Sequence, residues 1–183
     1  LTSVDVWIES VDTANKLGVW FEIREMNTAG GITRTQVPYS EVWMKWNDPR
    51  IKTSSNASQY TRVNFQNPVF LLNNTQYAFI IHTEGLNPNT YFWVSRLGEN
   101  DLVTGQQVTS RQLTGNVYTT NNNLNWDIVP DIDLKVRFNR AKFTVGTGTA
   151  MFGNNPTEFF TITDRSEAFV QYGERIAGSE KLT

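Results

Sequence analysis

The chain has 183 residues, 39% of them hydrophobic and 13% aromatic, with 18 acidic and 16 basic side chains interspersed for a net charge of −2. That length suits one domain with a fragment of another, and the apolar content excludes wholesale disorder. No basic tract offers itself to a phosphate backbone, no Cys is present for disulfides or thiolate metal sites, and the longest apolar run, Tyr77 to Ile81, falls far short of the ~20 residues of a membrane helix.

Strand patterns recur from the first residues onward. Val4, Val6 and Ile8 alternate with Asp5, Trp7 and Glu9, and after a turn over Asp12 to Gly18, Val19, Phe21 and Ile23 alternate with Trp20, Glu22 and Arg24. Asn27 to Gly31 is a loop tip, and Tyr39 to Trp46 reads as an edge strand ended by Asn47-Asp48-Pro49. A polar loop over Lys52 to Gln59 leads to a strand over Thr61, Val63 and Phe65, which Asn67-Pro68 breaks before Val69 to Leu72. Tyr77 to Thr83, apolar on both faces, has the character of a central strand.

Tyr91 to Arg96 is an aromatic strand that passes into the charged turn Leu97 to Asp101. A polar excursion follows, with Val117-Tyr118 as its strong apolar pair, then the Asn-rich tip Asn121 to Asn125, which Trp126 ends and is expected to anchor. Ile132, Leu134, Val136 and Phe138 alternate with Asp133, Lys135 and Arg137, the cleanest period-two run in the chain, and predict one closing strand with one buried face. Short strands at ~8–12-residue spacing without an amphipathic helix predict an all-β, antiparallel β-sandwich of jelly-roll-like topology over residues 1–143. Residues 144–157 read as a linker and 158–183 as the start of a second small β-module; both ends of the chain read as cut from something longer.

Chemistry is sparse in this pattern. His82 is the single histidine, which removes His-cluster metal sites, and it reads as a structural residue on the side of Ala78 and Ile80. No phosphate-cradling or dinucleotide glycine motif is present. Glu99 with Asp101 and Asp131 with Asp133 are local carboxylate pairs; with Arg96 close by, the first reads as an ion-pair and turn-capping cluster, Arg96, Glu99 and Asp101, to which Trp126 is added as the pin of the neighbouring tip. No catalytic residue, metal or cofactor is expected.

Surface aromatics are the stronger lead. By alternation Trp7 and Trp20 leave the core-facing sides of the first two strands and share an outer face with Asp5, Glu9, Glu22 and Arg24. Where those strands neighbour each other, the indoles would form a platform for a sugar ring or a protein partner. The competing reading is that this face is covered by the rest of the parent protein or by a partner subunit.

Trp93-Val94-Ser95-Arg96-Leu97-Gly98-Glu99-Asn100-Asp101 resembles the Y-x-S-R-x-G-E-x-D turn of a domain in long virion structural proteins of T4-like, contractile-tailed bacteriophages. Gly115 to Tyr118, Trp126 and Asp133 to Phe143 are similar to that domain's ending, Leu1 to Trp7 and Val19 to Arg24 to its opening strands, and Pro38 to Val42 and Asn67 to Leu71 to its middle. The chain departs from the pattern at Leu113-Thr114, where Pro-Tyr is usual, and in its more aromatic Trp43 to Trp46 segment. The resemblance implies a non-enzymatic virion domain in the baseplate or fibre-attachment region of a phage tail, made in the bacterial cytoplasm. Its partners would be other tail proteins or copies of itself, without nucleic acid or membrane insertion. The rival expectations are a carbohydrate-binding module contacting host-surface glycans and, more remotely, a polysaccharide depolymerase.

Overall fold

A computed structural model describes residues 1–85, 87–111 and 115–142. The expected linker and second β-module, with Phe143, lie outside the described residues. Residues Leu1–Ala141 belong to one unit.

That unit is all-β, and every strand ladder in it is antiparallel. In chain order the strands are β1 (Ser3–Val6), β2 (Ile8–Ser10), β3 (Val19–Met26), β4 (Ile32–Gln36), β5 (Val42–Met44), β6 (Thr61–Asn64), β7 (Tyr77–Thr83), β8 (Tyr91–Phe92), β9 (Val94–Arg96), β10 (Val117–Thr119), β11 (Asp127–Val129), β12 (Ile132–Leu134) and β13 (Val136–Asn139). One sheet has the order β13-β1-β6. A second is centred on β3, with β7 along one side and β4 and β5 sharing the other. The pairs β2–β8, β9–β12 and β10–β11 complete the pairing.

The two sheets contribute to one core. Val4, Val6 and Val63 from the first pack in a single cluster with Val19, Phe21, Ile23 and Met44 from the second. Phe21, fully buried, stacks on Phe79 at 6.1 Å between centroids and meets Phe92 edge-on at 6.4 Å. Burying these side chains is the main favourable term in folding.

Several sequence expectations need correction. The Val4–Ile8 run is two strands, because the chain exchanges partners at Trp7: β1 pairs with β13 and β6, whereas β2 pairs with β8. The Ile132–Phe138 run likewise breaks at Lys135, β12 pairing with β9 and β13 with β1. Its expected buried face fails with it: Asp133 is the buried member, in an ion pair with Arg111, and Phe138 at the rim is about half exposed. Tyr77 to Thr83 is not flanked on both sides; among the described residues its one strand partner is β3. Only Val42–Met44 of the Tyr39–Trp46 segment is a strand. Val69 to Leu72 is no strand either, although Val69 exchanges two backbone hydrogen bonds with Leu1. Strands β4 and β11 went unread, since Ile32-Thr-Arg-Thr-Gln carries one apolar side chain and β11 only three residues.

The passage from β4 to β5 beside β3 depends on Ser40. A tight turn, with Tyr39 at φ 62°, brings Ser40 into the gap between the two short strands. Its hydroxyl, fully buried, accepts from the Ile23 N–H at 3.1 Å and lies 2.7 Å from the Val37 carbonyl, to which it donates. A side-chain oxygen thus substitutes for the carbonyl that an unbroken neighbouring strand would offer. Ser40→Ala leaves the Ile23 N–H buried without an acceptor. Chemical denaturation should therefore register a loss of about 1–3 kcal/mol; a change within a few tenths would show that the ladder closes without the hydroxyl.

Candidate functional site

The outer face of β3 carries Trp20, Glu22 and Arg24 at alternate positions, which is why the three project together. Strand pairing brings others beside them: Trp43 lies opposite Trp20 on β5, and His82 opposite Trp20 on β7. Trp20, Glu22, Arg24 and His82, with Glu41 just after the Ser40 turn and Asn123 from the tip joining β10 to β11, line an open pocket of about 240 Å³, and Trp43 adjoins it through its contact with Trp20.

Glu22 is the electrostatic centre of this pocket. Its Oε1 accepts from Arg24 Nη2 at 2.5 Å and lies 2.6 Å from His82 Nε2, and its side chain is 12% exposed. Arg24 reaches across to Asn123 Oδ1 at 2.8 Å, tying the Asn-rich tip to the sheet. A buried carboxylate and guanidinium are tolerable because each finds an opposite charge or an oriented amide. One buried donor, Arg24 Nε, finds no acceptor among the described residues.

Above this polar floor the indoles of Trp20 and Trp43 lie side by side, centroids 5.8 Å apart and tilted by 40°. They are 37% and 39% exposed, so much of each ring remains open to solvent. Trp43 fits because Gly18 has no side chain: a Cβ there would sit 2.7 Å from its Nε1. Lys45 Nζ lies 5.7 Å from the Trp43 centroid.

Trp7 does not share this face. Val6 and Val19 contribute to the same core from different sheets, so alternation carries Trp7 and Trp20 out through different sheets, and the expected two-indole platform does not form. The outer face around Trp7 is a cross-strand lattice of its own. Asp5, on the central strand β1, faces Arg62 on β6 and Arg137 on β13 in direct register. Its carboxylate, without solvent exposure, is 2.7 Å from Arg62 Nε and 2.6 Å from Arg137 Nη2. Trp7 packs against Tyr60 at 5.7 Å, with Lys135 Nζ at 5.1 Å and the Arg137 guanidinium at 5.7 Å from its ring. These cation–aromatic contacts cover the indole from within the fold.

The charged turn after β9 forms a hydrogen-bonded loop. Gly98 and Val108 are joined by Gly98 N–H to Val108 O at 2.9 Å, and Val108 N–H returns to Glu99 O at 2.8 Å. Asp101 Oδ1 accepts from the N–H groups of Val103 and Thr104 and from the Thr104 hydroxyl; these bonds, the Thr104 backbone first, hold its carboxyl below the ordinary range. Arg96 lies 3.5 Å from Glu99 and 3.4 Å from Asp131, both pairs exposed. Trp126 stands half-buried ahead of β11 and enters none of the hydrogen bonds described for this loop. Within each local carboxylate pair the two members part: Glu99 and Asp131 meet at Arg96, Asp101 caps its own turn, and Asp133 faces Arg111.

Of the expected ligand residues, then, Trp20 lies in a pocket and Trp7 outside it. Sequence reasoning missed Glu41, His82, Asn123 and the neighbouring Trp43, since strand register brings Trp43 and His82 to β3 and a long-range hydrogen bond from Arg24 brings Asn123. The dense aromatic segment around Trp43 was the one available signal.

Asp5 yields a pH prediction. Desolvation pushes its carboxyl up, but the hydrogen bonds from Arg62 and Arg137 outweigh it and hold the pKa at about 2, against an ordinary 3.8. A depressed folded-state pKa stabilises fully above the unfolded value and is lost as pH falls through the folded one. Acid unfolding should therefore lose part of the native stability between about pH 4 and pH 2. Asp5→Asn should reduce that slope and cost on the order of 1–2 kcal/mol at neutral pH, discounted because both arginines face solvent. An unaltered acid slope in the variant would dismiss the carboxylate as its source.

Comparison of the chain with protein-family models, curated proteins and solved structures gave no match. The likeness to phage tail proteins accordingly rests on the motifs alone.

Proposed function

We propose that this chain is a non-enzymatic structural domain of a phage virion tail protein, in the baseplate or fibre-attachment region. It works by protein–protein assembly with other tail proteins or copies of itself, on a jelly-roll-like sandwich. The ordered resemblance across residues 1–143 suggests it, and the form of the most characteristic motif carries it. That motif, Trp93 to Asp101, opens a loop whose interior is closed by its own hydrogen bonds and whose tip holds Leu102 and Val103 at 65% and 74% exposure. A loop ordered in advance loses little entropy on docking, and an exposed apolar pair gains from burial against a partner. Capping by Asp101 explains why an acidic residue belongs there without any acid–base task.

A second reading, contact with host-surface glycans, is favoured by the open pocket lined by Trp20, with the Trp43 indole beside it.

The assembly reading is tested in the parent phage. Mass spectrometry of purified particles should find peptides of this chain. Leu102→Ser with Val103→Ser should lower the yield of complete tails about tenfold or more while leaving the melting temperature of the isolated chain unchanged, as expected for loss of an interface anchor. Particles that lack the chain would refute the reading. Normal yield from the double variant would show that the loop is not the contact.

A further inference from the structure

We infer that the pocket on the outer face of β3 binds a single neutral pyranose ring, the terminal sugar of a glycan, against the Trp20 indole that lines it and the Trp43 indole adjoining that ring. This deepens the glycan reading and rests on it; it is independent of the assembly reading.

Its charges are largely consumed. Arg24 is bound through both Nη atoms to Glu22 and Asn123, and Glu22 to Arg24 and His82, so among the described residues the pocket floor presents no cation without a counter-charge, the Arg24 Nε alone lacking an acceptor. Glu41 remains exposed, its one described partner a weak 3.4 Å contact from Gln36, which further disfavours an anion. A ligand cation over the Trp43 ring would meet Lys45 already there. What stays open is a pair of adjoining indole surfaces beside oriented polar groups, a carboxylate at Glu41 and the amide of Asn123.

A pyranose matches that combination. One side of the ring presents C–H groups that pack on an indole, and its hydroxyls both donate and accept, so they can pair with carboxylate and amide together. At about 240 Å³ the pocket is below the roughly 300–1,000 Å³ of sites for drug-sized ligands, which limits it to one ring. Its openness on the sheet face lets the rest of a glycan run out into solvent. So small and open a site predicts affinity on the order of 1 mM, a weak contact that gains strength when many copies act together.

The test uses the 183-residue chain and saturation-transfer NMR with methyl glucoside, methyl galactoside, methyl mannoside and methyl N-acetylglucosaminide, with methyl glucuronide as an anionic probe and inorganic phosphate as an anionic competitor. At least one neutral glycoside should bind. Trp43→Ala and Trp20→Ala should each weaken it about tenfold or more, the loss expected of a stacking anchor, and Trp7→Ala should leave it unchanged. Glu41→Gln, at an exposed position, provides a variant whose folding is not in question and should weaken binding severalfold. Binding that survives the Trp20, Trp43 and Glu41 substitutions but is lost with Trp7→Ala would overturn the pocket and keep the glycan reading. Preference for the glucuronide, or displacement of a bound glycoside by phosphate, would overturn the neutral ligand. No transfer to any glycoside at about 50 mM, well above the expected dissociation constant, would overturn the inference and the glycan reading together.

Discussion

Backbone hydrogen bonds among Trp7, Trp93 and Lys135 hold three extended runs at the point where each leaves one ladder and joins another. Residues 3–10 pass from β13 and β6 to β8, residues 91–96 from β2 to β12, and residues 132–139 from β9 to β1. Each exchange interrupts a ladder and would leave peptide groups unpaired, at a cost comparable to a lost hydrogen bond. Here the interrupted positions satisfy one another: Trp93 N–H donates to Trp7 O at 2.9 Å, and Lys135 N–H to Trp93 O at 2.9 Å. The side chains of the same residues close the junction from outside. Trp93 Nε1 donates to Ser54 O, and Lys135 Nζ, above the Trp7 ring, donates to Ala57 O, so the polar Lys52–Gln59 loop is pinned at two points.

This junction decides which surfaces are available. It turns the first run out of its sheet just after Val6, so Trp7 becomes part of the corner rather than one end of a platform. Strand β3 stands apart from the exchange, with β7 in unbroken register from Val19↔Thr83 to Glu25↔Tyr77 along one side. A regular strand displays Trp20, Glu22 and Arg24 at fixed spacing, and that regularity makes a pocket possible on this face.

Period-two alternation made much of this legible in the sequence. Val4 and Val6, Val19, Phe21 and Ile23, and Val63 all fall in the core as the pattern requires, because each faces the common cluster for the length of a strand. Alternation fails where partners change. Ile132 to Phe138 alternates cleanly, yet nothing in its side chains marks Lys135 as a corner, since the break is set by hydrogen bonds to Trp93, distant in sequence. Asp133 is buried for a similar reason: Arg111 makes burial tolerable, and no local pattern announces a partner 22 residues away. Half of the pocket was hidden in the same way. Trp20, Glu22 and Arg24 are local, but Trp43, His82 and Asn123 join them through strand register and one long-range hydrogen bond.

The two tryptophans that the sequence grouped together differ in what their neighbours are. Trp7 is flanked by Lys135 and Arg137, whose cations sit over the ring, and by Tyr60, itself 4.7 Å from the Arg137 guanidinium. Those cations also serve Asp5 and Ala57, so displacing them to admit a ligand would break an ion pair or a backbone hydrogen bond as well as a ring contact. Trp20 is flanked by another indole, and the charges near it are bound to one another below the rings. A ligand there displaces water and no part of the fold. Equal exposure would therefore not make the two faces equal: the Trp7 lattice spends its aromatic surface on holding three strands together, and the Trp20 face keeps its own free.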